Sequence, residues 1–91
     1  IVSNNGMSRI IITKSIKGLV KLQYTIKQTE DITIILCTME RKIIFKTKTL
    51  SQLPGVYQHQ LDRTQLRLDS GVYLVKIQTE TKSIIRKLTF I

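Results

Sequence analysis

The chain's one histidine and one cysteine, His59 and Cys37, are the obvious place to look for chemistry. A thiolate beside an imidazole is a nucleophile-base pair, but it needs a third group to orient the base and a tight turn to expose the sulfur. Neither residue has such company in the sequence. Cys37 ends the run Ile32-Thr33-Ile34-Ile35-Leu36-Cys37, and His59 sits in Val56-Tyr57-Gln58-His59-Gln60-Leu61. Both runs alternate as strands do, so the plainer reading is a buried small thiol and a histidine packed on a strand. A single cysteine excludes a disulfide framework within the chain and any multi-cysteine metal site. Asp62 and Asp69 stand seven apart around a short connection, without the D-x-[DN]-x-[DN]-G loop that wraps calcium, and capping of turns is the plainer role. The sequence therefore points to no catalytic centre, no cofactor and no metal.

Fifteen Lys and Arg against six Asp and Glu give a formal net charge of +9, enough to draw an anionic partner. The cations are spread along the whole chain and spaced by apolar or neutral residues, as on solvated faces and protected edges of a sheet. Nucleic acid is not expected to bind. The five aromatic residues, Tyr24, Phe45, Tyr57, Tyr73 and Phe90, each fall on a strand where a core role is the default, and no helix is available to enter a groove. No run of apolar residues approaches the length of a membrane-spanning helix, and residues 1–8 lack the plan of a signal peptide. The chain begins at Ile1 rather than methionine, so a piece of a longer protein is expected.

The elements that would carry these residues are strands. Ile, Thr and Val supply 31 of the 91 residues and alanine is absent, a balance that suits pleated surfaces and disfavours helices. A chain of this size forms one domain that buries about 60 to 65% of its unfolded surface, which leaves little room for a deep cleft. Residues 1–8, polar around Asn4-Asn5-Gly6, are expected to be a linker end of the single domain 1–91. Arg9 to Thr13 is a first apolar run. From Leu19 to Lys27 the alternation is clean, with Val20, Leu22, Tyr24 and Ile26 on one face. Gln28 to Asp31 reads as a turn. The next strand, Ile32 to Cys37, is apolar on both faces and so expected to be central. A turn at Thr38 to Arg41 returns the chain through Lys42 to Leu50. Ser51 to Gly55 is expected to be a loop, Val56 to Asp62 a strand with Tyr57, His59 and Leu61 on one face, and Arg63 to Asp69 an irregular crossing between sheets. The last two runs, Gly71 to Ile77 and Ser83 to Ile91, are joined by polar residues and predict a hairpin. Seven strands at roughly ten-residue spacing, with no helical period, predict an antiparallel β-sandwich of immunoglobulin-like type.

One stretch adds a resemblance. Leu68-Asp69-Ser70-Gly71-Val72-Tyr73-Leu74-Val75-Lys76-Ile77, followed by the basic ending Lys87-Leu88-Thr89-Phe90-Ile91, resembles the C-terminal sorting domain of the type IX secretion system of Bacteroidetes. Pro54-Gly55-Val56-Tyr57 through Asp62 is similar to the strand that precedes this turn in the family. The family's N-P opening is missing here, and Glu40-Arg41-Lys42 stands where its members usually place a glycine before a basic residue. The resemblance implies a domain that does no chemistry itself. It implies a signal carried behind an N-terminal cargo domain, recognised by outer-membrane translocon components and in many members removed by a sortase-like peptidase, with the cargo secreted or held at the cell surface. The residues that match the motif are Gly71, Val72 and Tyr73 in the turn and strand, and Lys87 and Leu88 in the final strand. A purely structural role is also open to them: Gly71 for a positive φ, Tyr73 for the core, Lys87 for an exposed edge. The alternative is an immunoglobulin-like binding or adhesion module of a cell-surface protein, whose mark would be exposed aromatic residues clustered at one end.

Overall fold

A computed structural model describes residues 7–14, 18–80 and 82–91. It contains seven strands in chain order: β1 (Met7–Lys14), β2 (Leu19–Ile26), β3 (Glu30–Thr38), β4 (Ile43–Gln52), β5 (Gly55–Asp62), β6 (Gly71–Gln78) and β7 (Ser83–Phe90), with one helical turn, α1 (Arg63–Leu66), between β5 and β6. The strands form two antiparallel sheets, a three-stranded one in the order β1-β2-β5 and a four-stranded one in the order β4-β3-β6-β7. The all-β, seven-stranded, two-sheet expectation is met. The expected linker end at 1–8 falls mainly outside the described residues, and β1 is already under way at Met7.

Alternation decides what the two sheets enclose. Val20, Leu22, Tyr24 and Ile26 of β2 are all buried, as are Ile32, Ile34 and Leu36 of β3, Tyr73, Val75 and Ile77 of β6, and Leu88 and Phe90 of β7. Together with Leu61 and Leu68 they make one hydrophobic cluster drawing on both sheets. Each fully buried aliphatic side chain contributes about 1.5–3 kcal/mol, so this cluster is the main source of stability. The sheets are also tied by polar and ring contacts. The Tyr24 hydroxyl donates to Gln52 Oε1 at 3.1 Å, and the rings of Phe45 and His59 lie 5.7 Å apart. β3 is central, as expected, with β4 and β6 on its two sides.

Three local features differ from the sequence reading. The crossing after β5 is not irregular. Asp62 caps a helical turn, its carboxylate accepting from the Thr64 and Gln65 amides at 2.9 and 3.3 Å, and Arg67 closes the turn at φ 56. Asp62-x-x-Gln65 is a capping signature too short-ranged for a periodicity search to register. The loop expected at Ser51 to Gly55 shrinks to Leu53-Pro54, because β4 runs on to Gln52 and β5 starts at Gly55. Glu30, read as part of a turn, opens β3 and is buried in line with Ile32 and Ile34, with no hydrogen-bond partner for its Oε2.

The turn at Thr38 to Arg41 settles into a defined type. Arg41 N–H donates to the Thr38 carbonyl and Thr38 N–H donates to the Lys42 carbonyl, both at 2.9 Å, while Arg41 takes φ 71. That is a type I turn followed by a left-handed residue, a position where glycine is at ease and arginine is not.

Candidate functional site

The motif residues Gly71, Val72, Tyr73, Lys87 and Leu88 come together because β6 and β7 pair in a single register. Tyr73 lies opposite Leu88, Leu74 opposite Lys87, and Gly71 opposite Phe90. Alternation then sends them to two different places. Tyr73 and Leu88 point inward and are buried, at 9% and 2% exposure. Val72 and Lys87 point outward and are exposed. The motif is thus half core and half surface.

The turn that launches β6 is held from several directions. Gly71 takes φ 146, and a Cβ there would meet no atom within 4 Å, so the backbone conformation and not crowding calls for glycine. The Tyr73 hydroxyl donates to the Asp69 carbonyl at 2.8 Å, and its ring meets Phe90 edge-on at 5.9 Å. Arg63 of α1 reaches the same place. Its Nε donates to the Leu68 carbonyl at 2.9 Å, its guanidinium reaches Ser70 Oγ at 3.3 Å, and Cζ lies 4.8 Å from the centre of the Phe90 ring. The backbone N–H of Arg63 donates to the Gly18 carbonyl at 3.0 Å. The motif turn, the crossing α1 and the last strand are therefore one braced unit. At the other end of the hairpin, Thr79 N–H donates to the Lys82 carbonyl at 2.7 Å and Lys82 N–H donates to Thr79 Oγ1 at 3.0 Å. The signal that could have revealed Arg63 was absent from the sequence, since its contacts depend on the sheet crossing.

The residues weighed for chemistry are not brought together. Cys37 is a free, buried thiol on a strand position that alternates toward the outside of the four-stranded sheet. His59 stands on the inner side of the other sheet, against Phe45. A full sheet separates them, so they do not form a pair. Asp62 is occupied as a helix cap, and Asp69 contributes its backbone carbonyl. Among the described residues no group of three or more His, Cys, Asp or Glu is placed to hold a metal ion, and no helix is long and apolar enough to cross a membrane.

His59 carries a pH prediction. Burial pushes its imidazole below the ordinary value of 6.5. Above that value the histidine is neutral in the folded and unfolded chain alike, and it adds no pH dependence. As pH falls below about 6.5 the unfolded chain takes up the proton first, so stability declines until the folded histidine also protonates. The thermal midpoint should fall between pH 7.5 and pH 5.5, and His59→Gln should flatten that part of the profile. An unchanged slope in the variant would assign the decline to other groups.

The fold and the motif define a class: small all-β modules of two antiparallel sheets, here with the motif residues on a braced hairpin that has an exposed outer side. The comparison with known families gives that class its identity: the profile of the family described as secretion system C-terminal sorting domain matches residues 15–90. The chain belongs to this family. It is a C-terminal sorting domain of the Por, or type IX, secretion system, a non-catalytic signal that directs secreted cargo across the outer membrane to the cell surface or beyond. Among curated proteins none matches the chain.

Proposed function

We propose that the translocon reads the outward side of the β6–β7 hairpin, with Val72 and Lys87 as contact residues and with Gly71, Tyr73 and Leu88 shaping the hairpin from within. The observation that supports this division is the register: Val72 and Lys87 are exposed while their neighbours Tyr73 and Leu88 are buried as a facing pair. A folded strand presents only alternate residues to a partner. In this reading residues 1–91 form one sorting domain behind an N-terminal cargo domain, and its partners are outer-membrane translocon components.

An immunoglobulin-like topology fits the same residues. β6 follows a crossing from one sheet to the other, and Tyr73 near its start bonds back to the Asp69 carbonyl four residues upstream. This is the geometry of the tyrosine corner in immunoglobulin-like sandwiches. Exposed aromatic residues, the mark of the binding-module alternative, are not seen: all five are buried or half-buried.

The test fuses the chain behind a signal peptide and a reporter in a host with type IX machinery. Val72→Thr with Lys87→Ala changes only outward side chains, so stability should hold within about 0.5 kcal/mol, while delivery of the reporter to the surface or medium falls several-fold. Undiminished delivery by this variant would rule out the outward side of the hairpin as the contact.

A further inference from the structure

The cations that look scattered along the sequence are gathered by the fold. On the outer side of the four-stranded sheet the register aligns Lys46 of β4 with Ile35 of β3, Ile35 with Lys76 of β6, and Lys76 with Ile85 of β7. Lys48 and Lys87 belong to the same face, one on each edge strand. None of these four lysines forms an ion pair among the described residues. Two acidic residues, Asp31 and Glu80, line a shallow hollow with Lys48 at one margin of this side, and Asp31 accepts from the Ser51 amide at 2.8 Å. The outer side of the three-stranded sheet is different: on β2 and β5 it presents Gln23, Thr25, Val56, Gln58 and Gln60, with Lys21 the one lysine among these paired positions.

Two plainer explanations cover only part of this. Lysines on edge strands prevent edge-to-edge pairing, and that accounts for β4 and β7. It does not account for Lys76, which sits on an interior strand. Solvation alone would not interleave the lysines with Ile35 and Ile85, the latter 43% exposed. A second copy of the chain is repelled by a face of the same sign. A bilayer surface is a poorer match, because, of the protruding aromatic and leucine side chains that seat a face in lipid, this one carries Leu50 near its margin and no aromatic residue.

We propose that the outer face of the four-stranded sheet, with Lys46, Lys48, Lys76 and Lys87 around Ile35 and Ile85, docks on a carboxylate-rich protein surface of the secretion machinery. This rests on the sorting function and extends its contact from the hairpin across β3 and β4. Four strands about 4.8 Å apart give a face about 20 Å wide, an area that suits a transient encounter better than a permanent subunit contact. Complementary charge speeds and orients such encounters, and salt weakens them.

Charge reversal on β4 tests this away from the hairpin. In the reporter fusion, Lys46→Glu with Lys48→Glu should lower surface delivery by at least about tenfold while the thermal midpoint of the purified domain stays unchanged. Lys21→Glu with Lys27→Glu makes the same charge change elsewhere on the domain and should leave delivery near the unaltered level. If the β4 reversal lowers the midpoint, Lys46→Gln with Lys48→Gln removes the charge without repulsion and should still reduce delivery. Equal delivery by the β4 and control variants, or an equal fall in both, overturns the proposal. So does sedimentation of the unaltered domain with phosphatidylglycerol vesicles that is lost on β4 reversal, since the face would then be reading lipid. Failure of the unaltered fusion to reach the surface would instead refute the sorting role of the chain, and this proposal with it.

Discussion

Leu88→Ala is expected to destabilise the domain by about 2–5 kcal/mol, the usual cost of removing a fully buried leucine and leaving part of its volume empty. Leu88 is 2% exposed, faces Tyr73 across the ladder, and belongs to the single core cluster. A domain of this size has a total stability of about 5–15 kcal/mol, so the loss is a large share of it. Urea denaturation should show a lower midpoint with the same slope. Lys87→Ala, one residue away and exposed, should shift the midpoint by no more than about 0.5 kcal/mol. Equal midpoints for the two variants would mean that β7 is not docked on the core. The same burial bears on how the signal can be tested. Cutting the chain before Leu88 also removes Phe90 from the core, so truncation cannot separate loss of a signal from loss of the fold.

Arg63→Ala should cost about 2–4 kcal/mol, which is large for a residue that is only half-buried. The guanidinium donates to the Leu68 carbonyl, reaches Ser70 and lies over Phe90. A charged hydrogen bond contributes about 1.5–3 kcal/mol and a contact of a cation with a ring face about 0.5–2 kcal/mol. Arg63→Lys keeps the charge but loses the planar fork that makes these contacts at once, so it should recover only part of the loss. Thermal unfolding of the two variants gives the measurement. If Arg63→Ala unfolds at the unaltered midpoint, the brace between α1, the motif turn and β7 carries no weight. A full rescue by lysine would assign the effect to charge alone.

Much of the fold was legible in the residues, and the reason is local. Strand β2 could be drawn with its buried face because Val20, Leu22, Tyr24 and Ile26 alternate with polar residues. The central place of β3 followed from apolar residues on both of its sides, and the final hairpin from Ser70-Gly71 and the β-branched runs after it. α1 escaped because four residues are too few to show a period and because its capping depends on one carboxylate. Buried Glu30 escaped because a charged residue beside a turn is ordinarily solvated. The αL conformation of Arg41 was not visible in its side chain, which has no preference for positive φ.

Residue pattern alone was enough to tell that this chain is all-β, that its motif residues Gly71 to Tyr73 and Lys87 to Leu88 lie on a hairpin, and to which family it belongs. These depend on period-two alternation, on glycine's freedom of φ and on motif residues at set spacing, all of which are properties of neighbours along the chain. The folded arrangement was needed to learn which motif residues face outward, that Arg63 reaches Phe90 across 27 positions, and that lysines on β4, β6 and β7 share one surface. Such relations are set by strand register and by the crossing between the two sheets. Register is fixed by the whole buried core, because a slip of one residue would turn every apolar side chain to water.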